Sequence, residues 1–297
     1  MTSEGFLELE ALPRRIVLVG GGYIAAEFSH LAARAGAEVT VLQRAPRLLT
    51  AFDADCVGWL MEAFARCRID TRLRTSVRAI EEHGRTFIVH ADGEGGPLAL
   101  EADLVVHAAG RRPDLAPLDL EAGGIAAKAG KLKLNEYLQS TSNACVYAAG
   151  DAAQSGPPLT PVSSHDAKVA AANILQGNHA TPDYRAVPSV AFSIPPIAAV
   201  GLSEQAARDA GLRFRVNARK ASDWFTARQA AEAVYGYKIL VEEKTARILG
   251  AHLVGPRVDE LINLFALAIR HGLDAAALRS TMFAYPTSAS DIGYMLG

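Results

Sequence analysis

The sequence predicts an α/β fold, and three stretches predict it. They are a short apolar strand running into glycines and an alanine-rich helix, a β-branched strand followed by a capped helix, and an apolar strand that stops at a glycine. The first is Arg15-Ile16-Val17-Leu18-Val19, which leads directly into Gly20-Gly21-Gly22-Tyr23-Ile24-Ala25-Ala26-Glu27 and an apolar stretch ending near Gly36. Strand, glycine turn and helix in that order make the G-x-G-x-x-A form of a dinucleotide-binding βαβ turn. Gly20 permits the tight turn, Gly22 lets backbone approach a pyrophosphate, and Ala25 lets helix pack closely on strand. Unpaired N–H groups and the dipole at the helix N-terminus then favour the negative charge of the phosphates. Gly20 and Gly22 are the nucleotide contacts this turn predicts.

The second strand, Glu38-Val39-Thr40-Val41-Leu42, bears on which nucleotide binds. About twenty residues past the glycines an NAD binder carries an acidic residue for the ribose hydroxyls. Here the chain has Gln43-Arg44-Ala45-Pro46-Arg47 instead. Nothing there repels a 2′-phosphate, and a guanidinium grips phosphate bidentately. The sequence therefore favours NADPH over NADH, with Arg44 as the first candidate for the phosphate contact and Arg47 as the second. Two ordinary solvated arginines after a strand are the alternative.

Asp53 to Cys67 follows as a helix, with Val57, Leu60, Met61 and Phe64 at helical spacing and Asp53 as its cap. Thr75 to Ala91 reads as strands around a turn at Glu82-His83-Gly84-Arg85, and Asp92 to Pro97 is a second turn. Leu104 to Ala109 is an apolar strand ending at Gly110-Arg111-Arg112-Pro113. Open α/β sheets place ligands at the carboxyl ends of strands, so Gly110 is a candidate for close approach to the nicotinamide half. A plain strand-to-loop exit would read the same way. Farther on, Thr141 to Asp151 reads as a turn, a short strand and Gly150-Asp151, then Pro157 to Val162 and a helix from about Ser164 to Gln176. A carboxylate at a strand end is placed to accept hydrogen bonds from sugar or ribityl hydroxyls. Taken alone, Gly-Asp after a strand is equally a turn.

Composition bounds these readings. The 297 residues are half apolar and about a fifth charged, with net charge −2, which suits a soluble globular protein of two or three units. That charge gives no reason to propose nucleic acid or an anionic membrane as partner. No apolar run is long enough to span a bilayer, and Met1-Thr2-Ser3-Glu4-Gly5 lacks a signal pattern. Cys56, Cys67 and Cys145 form no short pair, which predicts reduced, buried or structural thiols in a cytoplasmic setting. His107, in an apolar strand, reads as a core histidine. His252 and His271 have no carboxylate or cysteine at metal spacing, so no metal is predicted. His165 opens the 164–176 helix. Leu261 to Ile269 is apolar on nearly every side, as for a helix buried on several faces.

Six ordered motifs carry a resemblance to the flavin-dependent pyridine nucleotide–disulfide oxidoreductases, the family of glutathione reductase, dihydrolipoamide dehydrogenase and mercuric reductase. They are G-G-G-Y-I-A-A-E (Gly20 to Glu27), A-G-R-R-P-D (Ala109 to Asp114), V-Y-A-A-G-D (Val146 to Asp151), L-T-P-V (Leu159 to Val162), F-S-I-P-P-I-A-A-V-G-L-S-E (Phe192 to Glu204) and A-Y-P-T (Ala284 to Thr287). The resemblance implies a Rossmann-like NAD(P)-binding domain over 8–113, a central segment of an FAD-binding domain over 114–182 and an α+β dimerisation domain over 183–297. It implies FAD as a second cofactor, with Gly150, Asp151, Leu159 and Thr160 toward the flavin, Asp151 on its ribityl chain and Thr160 near its ring. It also implies that Tyr23 is an aromatic gate, with Tyr23 and Ile24 toward the cofactors, that Glu27 pairs with a lysine beside the flavin, and that the chain forms a homodimer.

Departures from the family pattern limit the chemistry. The family's N-terminal FAD domain, with its own glycine motif and C-x-x-x-x-C pair, is not in this sequence. That pair passes electrons to a disulfide through a mixed disulfide, so the chain by itself is expected to be inactive in disulfide reduction. Where the family carries H-P-x-x-x-x-E, this chain has Tyr285-Pro286 and Ser290, with Asp291 one residue on as a candidate substitute. A tyrosine, with its ordinary pKa near 10, donates a proton or hydrogen bond but is a poor base at neutral pH. Mercuric reductases also carry tyrosine there but end in a vicinal cysteine pair, whereas this chain ends Tyr294-Met295-Leu296-Gly297. Two readings remain: part of an oxidoreductase passing hydride from NADPH to flavin, or a nucleotide-binding, self-associating module without catalysis.

Overall fold

A computed structural model describes residues 1–297. It divides into two units, one formed by Met1–Gly110 with Pro188–Gly297 and the other by Arg111–Val187. The first half of the larger unit runs α1 (Ser3–Leu7), β1 (Arg15–Val19), α2 (Tyr23–Arg34), β2 (Glu38–Leu42), α3 (Ala54–Arg66), β3 (Asp70–Arg72), β4 (Ser76–His83), β5 (Thr86–Gly93), β6 (Gly96–Ala102) and β7 (Leu104–His107). A parallel sheet of order β3-β2-β1-β7 lies at its centre, with Ile16 opposite both Val39 and Leu104. Successive side chains of a strand point to opposite faces. Accordingly Ile16, Leu18, Val39, Val41, Leu104 and Val106 join the helices in one core. Val17, Leu42 and Val105 face the other way and pack with Val89, Ala91 and Ala102 of the antiparallel meander β4-β5-β6. Asp53 caps α3 as the sequence predicts, its Oδ1 accepting from the N–H groups of Asp55 and Cys56 at 3.0 and 3.3 Å.

The smaller unit contains β8 (Ala127–Lys128), β9 (Lys131–Leu132) and α4 (Thr160–Gln176). The stretch before Gly150 is not a strand: Tyr147 makes only an isolated bridge with Gln139, and Gly150–Ala152 form a 3₁₀ turn. α4 begins four residues before the expected Ser164, because Pro161 occupies its first turn, where a missing N–H costs nothing. His165 therefore lies inside the helix, its Nε2 accepting from the Asp183 N–H at 3.0 Å.

The larger unit resumes with β10 (Ser189–Ala191), β11 (Ile197–Gly201), α5 (Glu204–Asp209), β12 (Phe214–Lys220), α6 (Phe225–Gln229), β13 (Gly236–Glu242), β14 (Ile248–Val254), α7 (Val258–His271), α8 (Ala275–Ser280) and α9 (Ile292–Met295). Its antiparallel sheet has the order β10-β11-β14-β13-β12. Ala191, Ile197, Val234 and Val254 enter the same core as α2 and α3, so the two sheets of this unit share one interior. α7 buries Val258, Leu261, Ile262, Phe265, Ala266 and Ala268, but Asn263 and Leu267 are exposed, so it is amphipathic rather than buried on several sides.

Two further expectations are corrected. His107 is exposed, because β7 ends there as an edge strand and its last side chain leaves the core. Of the three thiols only Cys56 is buried; Cys67 is half-buried and Cys145 exposed, and all are free.

Candidate functional site

The glycine turn is built by two different constraints. Gly20 has φ +124°, donates its N–H to the Leu42 carbonyl at 2.9 Å, and would place a Cβ 2.2 Å from the Ala108 carbonyl oxygen. No other residue fits between β1, β2 and the end of β7. Gly22 has ordinary extended backbone, φ −89° and ψ −160°, and a Cβ there would meet no atom within 4 Å. It is the N-cap of α2 with no side chain capping the helix, so N–H groups of the first turn stay available. Ala25 and Ala26 are fully buried, bringing the helix close to the sheet. The result is open space beside an uncapped helix N-terminus, which suits an anion.

Tyr23 and Glu27, one helical turn apart on α2, both face β10. The Tyr23 hydroxyl is hydrogen-bonded to Ser189, and its ring meets Phe52 edge-on at 5.5 Å. Burial and the nearby Glu27 carboxylate raise its pKa. Glu27 accepts from the Phe192 N–H at 2.9 Å. Ile24 is half-buried in the same core, while Gly110, past the end of β7, is exposed.

The two arginines after β2 separate by geometry. Arg47 directs Nη1 to the Phe52 carbonyl at 2.6 Å and Nη2 to the Thr50 carbonyl at 2.7 Å, closing its own loop. Arg44 is exposed and makes no such bond. The loop is tied to the turn by the Leu49 N–H, which donates to the Gly21 carbonyl at 2.7 Å.

In the smaller unit, Gly150 and Asp151 sit at the 3₁₀ turn. The Gly150 N–H donates to Asp166 Oδ2 at 3.0 Å, and the Tyr184 hydroxyl donates to Oδ1 at 2.9 Å. Burial and Asp166 push the Tyr184 pKa up. Asp166, a buried carboxylate in α4, holds this turn and was not marked by any sequence pattern. Asp151 and Thr160 are exposed, Leu159 is half-buried with its N–H donating to the Pro157 carbonyl at 2.8 Å, and no side chain caps α4.

At the C-terminal motif the structure does not pair Tyr285 with Asp291. Tyr285 is 76% exposed, follows into a cis bond with Pro286, and lies 6.1 Å from the Phe225 ring. Asp291 is buried, its Oδ2 accepting from the Tyr235 hydroxyl at 3.0 Å. Burial raises the Asp291 pKa, and burial together with Asp291 raises that of Tyr235. Asp291 thus serves Tyr235 rather than standing in for the absent acid.

Sequence reasoning missed two buried groups. Lys238 lies among Asp53, Asp55 and Glu204. Burial disfavours its charge, but hydrogen bonds to Asp55 and Asp53 outweigh that and hold its pKa above the ordinary value. Burial alone would raise the Asp53 pKa, but Lys238, His252 and the Cys56 N–H together hold it below the ordinary value. His30 is fully buried, its Nδ1 4.0 Å from Cys67 Sγ, and burial pushes its pKa down to about 4. No group of three or more His, Cys, Asp or Glu side chains is placed to hold a metal ion. No helix is long and apolar enough to cross a membrane.

The sequence profile described as pyridine nucleotide-disulphide oxidoreductase matches residues 1–167, and the one described as its dimerisation domain matches residues 187–295. A mercuric reductase of Staphylococcus aureus is 32% identical over 293 residues, covering 98% of this chain and 53% of that protein. An uncharacterised 19.7 kDa protein in a mercuric resistance operon of Staphylococcus aureus is 47% identical over 180 residues, 60% of this chain and all of that one. The solved structure of the HOCl-induced flavoprotein disulfide reductase RclA from Escherichia coli superposes with a TM-score of 0.90 at 29% identity, covering 100% of this chain and 67% of that one. The chain spans about half the length of the mercuric reductases it matches.

Proposed function

The chain belongs to the pyridine nucleotide-disulphide oxidoreductases, and from that premise we propose that it is the NADPH-binding and subunit-joining part of an FAD-dependent oxidoreductase. The observation that carries this reading is the open space at Gly22. An added Cβ there meets no atom within 4 Å, the first turn of α2 is uncapped, and the exposed Arg44 stands past the end of the neighbouring strand. The α2 N-terminus holds the pyrophosphate, Gly20 shapes the turn, and Ile24 packs beneath it. Arg44 grips the 2′-phosphate, while Arg47 keeps the loop closed behind it. Gly110 leaves the end of β7 unobstructed for the nicotinamide half. Tyr23 stands as the movable aromatic at the mouth of the turn, with Glu27 fixing the backbone at Phe192.

FAD, when bound, supplies a two-electron acceptor for the nicotinamide hydride. The residues of the smaller unit fit such a group: Asp151 has an exposed carboxylate for ribityl hydroxyls, and the uncapped start of α4 offers the N–H of Thr160, with the half-buried Leu159 beside it. Asp166 keeps Gly150 and Asp151 in place. Tyr285 is a hydrogen-bond donor at an exposed surface rather than a base. Exposed Phe225, Leu267, Met282, Tyr285 and Tyr294 in the C-terminal half are the apolar side chains through which two copies associate as a homodimer.

One observation favours a second reading, a nucleotide-binding, self-associating module without redox chemistry of its own. Cys56 is buried, and neither it, Cys67 nor Cys145 has a thiol partner, so no dithiol stands ready to pass electrons onward. The visible spectrum of the chain with FAD, recorded anaerobically before and after NADPH, decides between them. Bleaching of the flavin band supports the oxidoreductase reading. A flavin spectrum unmoved by bound NADPH supports the module.

A further inference from the structure

A lysine of the C-terminal sheet reaches the loop that carries Arg44. Lys238, in β13, is only 5% exposed, and its ammonium donates to Asp53 at 3.0 Å and Glu204 at 3.2 Å and lies 2.5 Å from the Asp55 carboxylate. A charge withdrawn from water in this way needs partners that replace its hydration, and removing one of them is felt. Asp53 has two duties. Its Oδ1 caps α3, and its Oδ2 takes the lysine.

The residue before it, Phe52, holds Arg47 through its carbonyl and meets Tyr23 through its ring. Residues 43–53 thus form a strap fixed at five points. The Gln43 N–H donates to the Arg72 carbonyl at 2.9 Å, the Thr75 N–H donates to the Gln43 carbonyl at 2.9 Å, the Arg74 N–H donates to the Ala45 carbonyl at 3.1 Å, the Leu49 N–H donates to Gly21, and Asp53 is held by Lys238. The first four are backbone bonds that hold the β2 end and the middle of the strap. The fifth, at its α3 end, comes from 185 residues along the chain.

We propose that Lys238 is a positioning residue for nucleotide discrimination: by fixing the α3 end of the strap, it sets where Arg44 stands relative to the glycine turn. The inference rests on the reading of Arg44 as the 2′-phosphate contact. Arg47 depends on the same anchor, since the carbonyls it grips belong to Thr50 and Phe52, the last residues before Asp53. When the anchor is cut, the Thr50 and Phe52 carbonyls drift and Arg47 loosens, so the segment from Ala45 to Asp53 no longer holds one path beside the Arg44 guanidinium, whose own backbone stays tied at Gln43 and Ala45.

The test compares variants that remove the same kind of partner from Lys238. Asp53→Ser keeps a helix cap but no longer reaches the lysine, which retains Asp55 and Glu204. Glu204→Gln removes a carboxylate of the same lysine that is not on the strap. Titration calorimetry with NADPH and with NADH gives the preference for each protein, with thermal unfolding in parallel. Asp53→Ser and Lys238→Met are expected to lower the NADPH-over-NADH preference about fivefold with NADH affinity little changed, and Glu204→Gln to leave it as in the wild type. Should Lys238→Met fail to fold, Asp53→Ser decides alone. A preference unchanged in Asp53→Ser, or shifted equally by Glu204→Gln, overturns the proposal and leaves the cluster a structural rivet. A wild-type chain that binds both nucleotides equally overturns the 2′-phosphate reading itself, and the proposal with it.

Discussion

Exchanging Gly22 for alanine, with Gly20→Ala beside it, separates what the glycine turn needs to fold from what it needs to bind. At Gly22 the backbone is extended at φ −89°, and an added Cβ meets nothing within 4 Å. Alanine is a poorer N-cap by about 0.5–1 kcal/mol, but a less free unfolded chain returns about 0.4–1 kcal/mol. Stability should therefore stay within about 1 kcal/mol of wild type. The methyl, however, occupies the space assigned to the pyrophosphate, and NADPH affinity should fall at least about tenfold, ~1.4 kcal/mol. At Gly20 the added Cβ stands 2.2 Å from a backbone oxygen that cannot swing away, at φ +124°. The backbone strain alone costs about 1–3 kcal/mol, and prising β1 from the end of β7 adds to it. Urea unfolding gives the stabilities, and quenching of protein fluorescence by NADPH gives the affinities. A Gly22→Ala protein that binds NADPH like wild type would refute the placement of the pyrophosphate. One that unfolds as easily as Gly20→Ala would refute the division of roles.

Arg44→Glu should weaken NADPH while sparing or improving NADH, since it replaces the phosphate's cation by a ribose acceptor; equal losses in calorimetry would remove Arg44 from the 2′-phosphate. Tyr235→Phe takes away the hydroxyl that Asp291 Oδ2 accepts at 3.0 Å and should cost about 1–3 kcal/mol in urea unfolding; a neutral result would mean that Asp291 finds an equal partner elsewhere. His30 carries a pH prediction. Folded, it takes up a proton only near pH 4, against 6.5 for an ordinary histidine, so acid favours the unfolded chain. Between pH 6.5 and 4 this amounts to roughly 3 kcal/mol of lost stability. His30→Leu should flatten that part of the pH–stability curve; the same slope in the variant would assign it to other groups.

What the sequence discloses is what lies close along it. Arg15–Val19, Glu38–Leu42 and the Asp53 cap all appear where the pattern places them, because strand alternation and capping are decided within a few residues. Pattern fails where the deciding neighbour is distant or the element ends. His107 looked like core from its apolar flanks, yet the strand stops there and turns it outward. Tyr147 has β-like neighbours but only a bridge to Gln139, so no strand forms. Asp291 was weighed against Tyr285, six residues away, whereas its partner is Tyr235, 56 residues away. Lys238 is an ordinary lysine in an apolar strand until Asp53 and Glu204 arrive from elsewhere in the fold. The glycine turn was legible because its requirement is written in residue type. The tie between Asp53 and Lys238 was not, because it is a tertiary contact.

Titration calorimetry of the wild-type chain with NADPH, and separately with NADH, tests the central claim most directly. Binding of one NADPH per chain, with NADH at least about tenfold weaker, is the result this geometry requires. No heat from either nucleotide, or equal affinity for both, would contradict the assignment of the Gly20–Gly22 turn and Arg44 as an NADPH site.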